Sequence, residues 1–145
     1  MILLDTNVIS ETQRQEPNAR VLDWMDVQAL ETLYLSTITV AELRAGIALM
    51  PAGKRRDGLH ENLEHRLLPM FANRVLSFDM GCTKAYAELL AKSRAVRLAV
   101  ETADASIAAV APAHGDRAVA RQPVDDRRGQ PARRVADGFP DDLGA

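Results

Sequence analysis

The sequence predicts an α/β domain built on a mainly parallel sheet. Three observations carry that reading. Short apolar runs at Ile2-Leu3-Leu4, Leu33-Tyr34-Leu35-Ser36 and Val75-Leu76-Ser77-Phe78 read as buried strands. Segments of helical periodicity separate them, which is the alternation a parallel sheet needs. The length of 145 residues is that of one ordinary domain, able to bury about two-thirds of its unfolded surface.

Taken in order, the first run meets Asp5-Thr6-Asn7, a polar turn. From Asn18, the spacing of Val21, Leu22, Met25 and Leu30 predicts an amphipathic helix. Thr39 follows the second run and opens a helix carrying Leu43, Ile47 and Met50, stopped by Pro51. Pro51-Ala52-Gly53 is a turn. A longer helix begins near Arg55, places Leu59, Leu63, Leu67 and Leu68 on one side, and runs until Pro69. After the third run and Asp79, helical patterns resume over Thr83–Ala95 and Thr102–Ala113. In this reading residues 1–115 form the core of the domain.

Composition changes after His114. The last 31 residues hold six Arg, six Asp, three Pro and four Gly, without a Lys, Glu, Ser or Thr. Ala118-Val119-Ala120 is strand-like, and a weaker strand candidate lies near Val135. Residues 116–145 are therefore expected to be a diverged, irregular and partly disordered segment, open to trypsin at Arg121, Arg127 and Arg134.

Composition also excludes several functions. Aromatics are 4% of the chain, too few for a single-strand binder that stacks bases on aromatic platforms. With 18 basic against 20 acidic residues, the net charge of −2 excludes a uniformly basic nucleic-acid coat. Cys82 is the one cysteine, which rules out an intrachain disulfide and an all-cysteine metal cage. No apolar run is long enough to cross a membrane, and Met1–Leu4 is too short for the core of a signal peptide. The expected setting is cytoplasmic.

Three acids stand where chemistry can occur. Asp5 follows the first strand directly, and ligands gather at the carboxyl ends of parallel strands. Glu42 and Asp104 are expected in the first turns of the helices opened by Thr39 and Thr102, where the helix dipole favours negative charge. Each has a plain structural reading. Asp5 is a common turn residue, Thr39-Val40-Ala41-Glu42 fits a capping box, and Asp104 suits a helix start. Together they point elsewhere, because carboxylates gathered in one crevice repel unless a hard divalent cation such as Mg²⁺ or Mn²⁺ neutralises them.

The segments Leu3-Leu4-Asp5-Thr6-Asn7, Ser36-Thr37-Ile38-Thr39-Val40-Ala41-Glu42-Leu43 with Gly46, and Thr102-Ala103-Asp104-Ala105-Ser106-Ile107-Ala108-Ala109 resemble the motifs of PIN-domain ribonucleases. The chain is most similar to the VapC toxins, in their FitB-like branch, over residues 1 to about 120. This resemblance implies a three-layer α/β/α sandwich and a Mg²⁺- or Mn²⁺-dependent endoribonuclease, the toxin of a bacterial type II toxin–antitoxin pair. It implies Asp5, Glu42 and Asp104 as metal-holding catalytic acids, with Thr6 and Asn7 supporting them. It further implies a homodimer, a cognate antitoxin and an RNA substrate. A fourth acid usually stands in a Thr-Arg-Asn-x-x-Asp-Phe-like stretch; here that stretch reads Ala120-Arg121-Gln122-Pro123-Val124-Asp125-Asp126-Arg127. Without the Thr, Asn and Phe, Asp126 or Asp125 is a degraded match, and Arg127 and Arg128 compete for it.

Other residues also carry a plain reading beside a functional one. Lys54, Arg55 and Arg56 either contact RNA phosphates or solvate a helix start. His60 and His65, five apart, do not share a helix face. His114 reads as a helix C-cap feature, Cys82 as a small buried hydrophobe, and Trp24 and Met25 as core. A HAD-like phosphatase needs a second Asp where Asn7 stands, and a phospho-receiver needs an acidic pair that is missing. The alternative reading is a catalytically impaired PIN-like domain that acts only as an antitoxin-binding or regulatory protein, through its own operator complex.

Overall fold

The computed structural model describes residues 1–96 and 102–115. Strands β1 (Ile2–Leu3), β2 (Leu33–Ser36) and β3 (Val75–Leu76) form a parallel sheet in the order β1-β2-β3. Ile2 pairs with Leu33 and Leu3 with Tyr34, while Leu35 pairs with Val75 and Ser36 with Leu76. The pairing of β1 with β2 continues one residue further, since Leu4 donates its N–H to the Tyr34 carbonyl at 2.8 Å. Helices α1 (Thr6–Thr12), α2 (Ala19–Asp26), α3 (Thr37–Ala48), α4 (Lys54–Asn62), α5 (Leu68–Met70), α6 (Met80–Ala95) and α7 (Thr102–Ala113) connect and cover the strands.

Alternation along the strands sorts side chains into two layers, as a pleated sheet must. Ile2, Leu4, Leu33 and Leu35 face one side and join Val8, Ile9, Val21, Val40, Leu43, Ile47, Leu63 and Phe71 in the larger core. Leu3, Tyr34 and Leu76 face the other side and meet Cys82 of α6 with Ile107, Val110 and Ala111 of α7. Helices on both faces make the expected α/β/α sandwich. Trp24 and Met25 pack against the larger core, as expected.

Several local expectations are corrected. Asp5-Thr6-Asn7 is not a turn: Asp5 is the N-cap of α1, its Oδ1 accepting the Val8 N–H at 2.8 Å. Asp serves helix caps and turns equally well, so the local sequence does not separate them. Helix α3 starts earlier than Thr39. Ser36 is its N-cap, with Oγ accepting the Thr39 N–H at 2.9 Å. Thr39 is thus not the cap of a box closed by Glu42, and Glu42 sits in the second turn. Met50 lies beyond the helix end, and β3 stops at Leu76, short of Phe78.

The helix begun at Lys54 widens over Leu63–Leu67 into a π-helical turn, where the Leu68 N–H reaches the Leu63 carbonyl. Pro69 explains the widening. It has no N–H to give, and its ring crowds the carbonyl four residues earlier. The widened turn also brings Glu64 to Arg44 of α3 in a two-pronged pair at 2.8 and 2.9 Å. Glu11, near-buried on α1, accepts the Asn18 N–H at 2.9 Å and so ties α1 to the start of α2.

Candidate active site

Strand β1 ends where α3 begins, and a short polar relay fixes that junction. The Thr39 hydroxyl donates to the Leu4 carbonyl at 3.3 Å and stands 2.9 Å from the Ser36 hydroxyl. Both side chains are fully buried. The relay sets the start of α3 against the residue that precedes Asp5. The Ser36–Leu43 motif does not by itself reveal this role for Ser36 and Thr39; their signal is two hydroxyls three residues apart at a strand end.

Asp5 is itself buried, with 4% of its surface exposed. One carboxylate oxygen is satisfied by Val8, while Oδ2 is buried and has no hydrogen-bond partner. Burial pushes the carboxyl up from its ordinary 3.8 to about 6. The Val8 and Asn7 amides pull the other way, while the charges of Asp104 and Glu42 add to the rise. Asp5 therefore feels the charges of both other acids named from sequence, 37 and 99 residues away in the chain.

Glu42, half-buried on α3, accepts a hydrogen bond from the Thr6 hydroxyl in the first turn of α1. Thr6 thus holds the second acid toward the first. Asn7 is exposed, and what it gives Asp5 is its backbone amide. Asp104 stands in the first turn of α7, as predicted. Lys54, Arg55 and Arg56 begin α4, beyond the far end of α3. Twelve residues of helix, about 18 Å, separate them from the Ser36 cap. Asp125 and Asp126, with the strand candidates at Ala118–Ala120 and Val135, lie outside the described residues.

The donor set fits a hard divalent cation. A buried carboxylate oxygen that lacks a proton donor, in the field of two further carboxylates, gains most from Mg²⁺ or Mn²⁺. A second group of ligand-type atoms lies at the end of β3. Asp79, Cys82 and His114 each offer one, all within 4.8 Å of one another. Cys82 is buried, as expected, and His114 follows the end of α7, also as expected; their meeting was not foreseen.

The sequence profile of the PIN domain matches residues 2–123. The chain belongs to the PIN domain family. It is 84% identical over 115 residues to the plasmid stability protein StbB of Pseudomonas syringae pv. tomato, covering 79% of this chain and 83% of that one. It is 54% identical to the VapC ribonuclease Y4jK of Sinorhizobium fredii (79% and 82% covered) and 50% identical to the toxin FitB of Neisseria gonorrhoeae (79% and 82%). Among solved structures, FitAcB from N. gonorrhoeae superposes with a TM-score of 0.75 at 49% identity, covering 80% of this chain and 84% of that one. FitAB bound to an IR36 DNA fragment gives 0.75 at 47%, covering 80% and 81%. The resemblance to VapC and FitB toxins read from the motifs is borne out, and so is the sandwich fold. No helix among the described residues of this PIN domain is long and apolar enough to cross a membrane.

Proposed function

We propose that this PIN domain is the toxin of a type II toxin–antitoxin pair, an endoribonuclease whose Asp5, Glu42 and Asp104 hold Mg²⁺ or Mn²⁺. The observation that carries the proposal is Asp5 Oδ2, a buried carboxylate oxygen with no donor, sharing its field with two other acids. When bound there, a divalent cation lowers the pKa of water and offsets charge on the phosphate oxygens.

The chain's own residues orient and position. The Val8 amide occupies Oδ1 of Asp5, which leaves Oδ2 for the crevice. Thr6 fixes the rotamer of Glu42, and the Ser36–Thr39 relay holds α3 at the end of β1. Asp104 enters from the start of α7. None of these groups need act as a nucleophile, since the attacking oxygen comes from water. Asp126 or Asp125 is the proposed fourth acid, and Lys54, Arg55 and Arg56 are proposed phosphate contacts reached only by a substrate that extends along α3.

A cognate antitoxin is the proposed partner, supported by the likeness to FitB, solved with FitA on DNA. A homodimer and a cytoplasmic setting complete the proposal. Structured RNAs incubated with the full chain test it. Cleavage should require Mn²⁺ or Mg²⁺, stop with EDTA, and fall at least about 10³-fold in Asp5→Asn, which keeps the α1 cap. Cleavage that persists in EDTA or in the variant overturns the metal-site assignment. No cleavage by the wild type favours a domain that only binds its antitoxin.

A further inference from the structure

We infer that Asp79, Cys82 and His114 form a second cation site, selective for a borderline-soft ion of the Zn²⁺ class. The three come from two elements: Asp79 and Cys82 begin α6, and His114 follows α7. Their ligand-type atoms lie within 4.8 Å of one another. The Ser77 carbonyl sits among them, 2.9 Å from His114 Nε2 and 3.6 Å from Cys82 Sγ, while Asp79 Oδ2 is 3.9 Å from Nε2. A tetrahedral ion with bonds of about 2.0–2.3 Å spaces its ligands roughly 3.3–3.8 Å apart. Shifts of roughly 1 Å or less therefore bring these donors into one shell.

The donor types choose the ion. Thiolate with imidazole and carboxylate favours Zn²⁺ or Co²⁺ over Mg²⁺, which prefers oxygen alone. Three protein ligands leave the fourth position to the Ser77 carbonyl or water. In the metal-free form the Cys82 thiol donates to that carbonyl. On binding, the S–H bond breaks, a metal–sulfur bond forms, and the proton leaves to solvent. In the metal-free form His114 Nε2 donates to the Ser77 carbonyl; on binding, that proton leaves to solvent while Nδ1 takes one up, so the imidazole enters neutral through Nε2.

This site is separate from the acidic crevice. Asp104 and His114 are ten residues apart along α7, about 15 Å. It also stands at the smaller core, where Cys82, Leu3, Ile107, Val110 and Ala111 are the buried members. An ion there clamps the end of α7 to the start of α6, and so steadies the helix whose other end carries Asp104.

Titrating the reduced full chain with Co²⁺ tests the inference. Cys82 is the chain's one cysteine, so a sulfur-to-cobalt charge-transfer band reports this site alone. The band should form near one equivalent, bleach with Zn²⁺ and vanish in Cys82→Ser. It should persist in Asp5→Asn. His114→Gln, a change at an exposed residue, should weaken Co²⁺ binding at least tenfold and abolish the rise in Tm that Zn²⁺ gives the wild type. Absence of the band in the wild type, or unchanged affinity in His114→Gln, overturns the site. Loss of the band in Asp5→Asn shows that the two sites are not separate and overturns it equally.

Discussion

Asp5 and Asp79 occupy equivalent local positions. Each follows a strand of the parallel sheet and caps the next helix by accepting the backbone N–H three residues on, at 2.8 Å for Val8 and 3.2 Å for Cys82. Their electrostatics are opposite. Burial raises the Asp5 carboxyl to about 6, helped by Asp104 and Glu42. Asp79 is exposed, and hydrogen bonds from Cys82, with the nearby His114 imidazole, hold it below its ordinary 3.8. Local geometry supplies the same cap in both places. Burial and the charges brought by distant segments decide whether the carboxylate is strained or content.

The largest expected effect separates the two by pH. Asp5 has a folded pKa above its unfolded value, so the folded protein holds a proton that the unfolded chain releases between pH 3.8 and about 6. Metal-free stability should fall as pH rises through that window, by about 3 kcal/mol from this group, and stay lowered above it. Asp79 has the reverse sign. Its contribution is present above pH 3.8 and is lost only as pH falls through its lowered folded value. Urea unfolding in EDTA at pH 4 and 7 checks this: Asp5→Asn should remove most of the slope and be the more stable protein at pH 7. A steeper loss in Asp5→Asn than in the wild type breaks the comparison.

Mg²⁺ should act at Asp5 and not at Asp79, whose sulfur- and nitrogen-bearing neighbours suit a softer ion, and by nearly as much. Saturating Mg²⁺ at about a hundred times its Kd should stabilise the wild type at pH 7 by about 2.7 kcal/mol, and leave Asp5→Asn unmoved. Thermal melts with and without Mg²⁺ decide it.

A smaller effect concerns the aim of the second acid. Thr6→Val removes the hydroxyl that holds Glu42 and should lower RNA cleavage about tenfold, near 1.4 kcal/mol, with little change in Tm. Initial rates beside a melt separate aim from folding. Smallest is Asp79→Asn, which keeps a helix cap but loses the charge beside His114. In metal-free protein its Tm should drop slightly at pH 7, opposite in sign to Asp5→Asn.

Much of this was legible in the chain. Apolar runs gave the strands, and leucine spacing gave the helices, because each reflects which faces must leave water. Asp104 at a helix start was read correctly, since a helix N-terminus has a local signature. Other features were ambiguous for local reasons. Asp5-Thr6-Asn7 suits a turn and a helix start alike. Ser36-x-x-Thr39 and Thr39-x-x-Glu42 have the same spacing, and the first is the cap because β2 ends at Ser36 and Thr39 already lies inside the helix.

The sequence by itself determined the alternation of strands and helices and the two-sided patterning of the sheet, and it singled out Asp5, Glu42 and Asp104 as candidate acids, because these depend on spacing and on nearest neighbours along the chain. Tertiary packing decided which acid is strained, that Thr6 aims Glu42, and that His114 meets Cys82 and Asp79. Burial and Coulomb interaction depend on distance in space, and residues 32 to 99 positions apart come to act on one another only once the sheet and its two helical layers have closed.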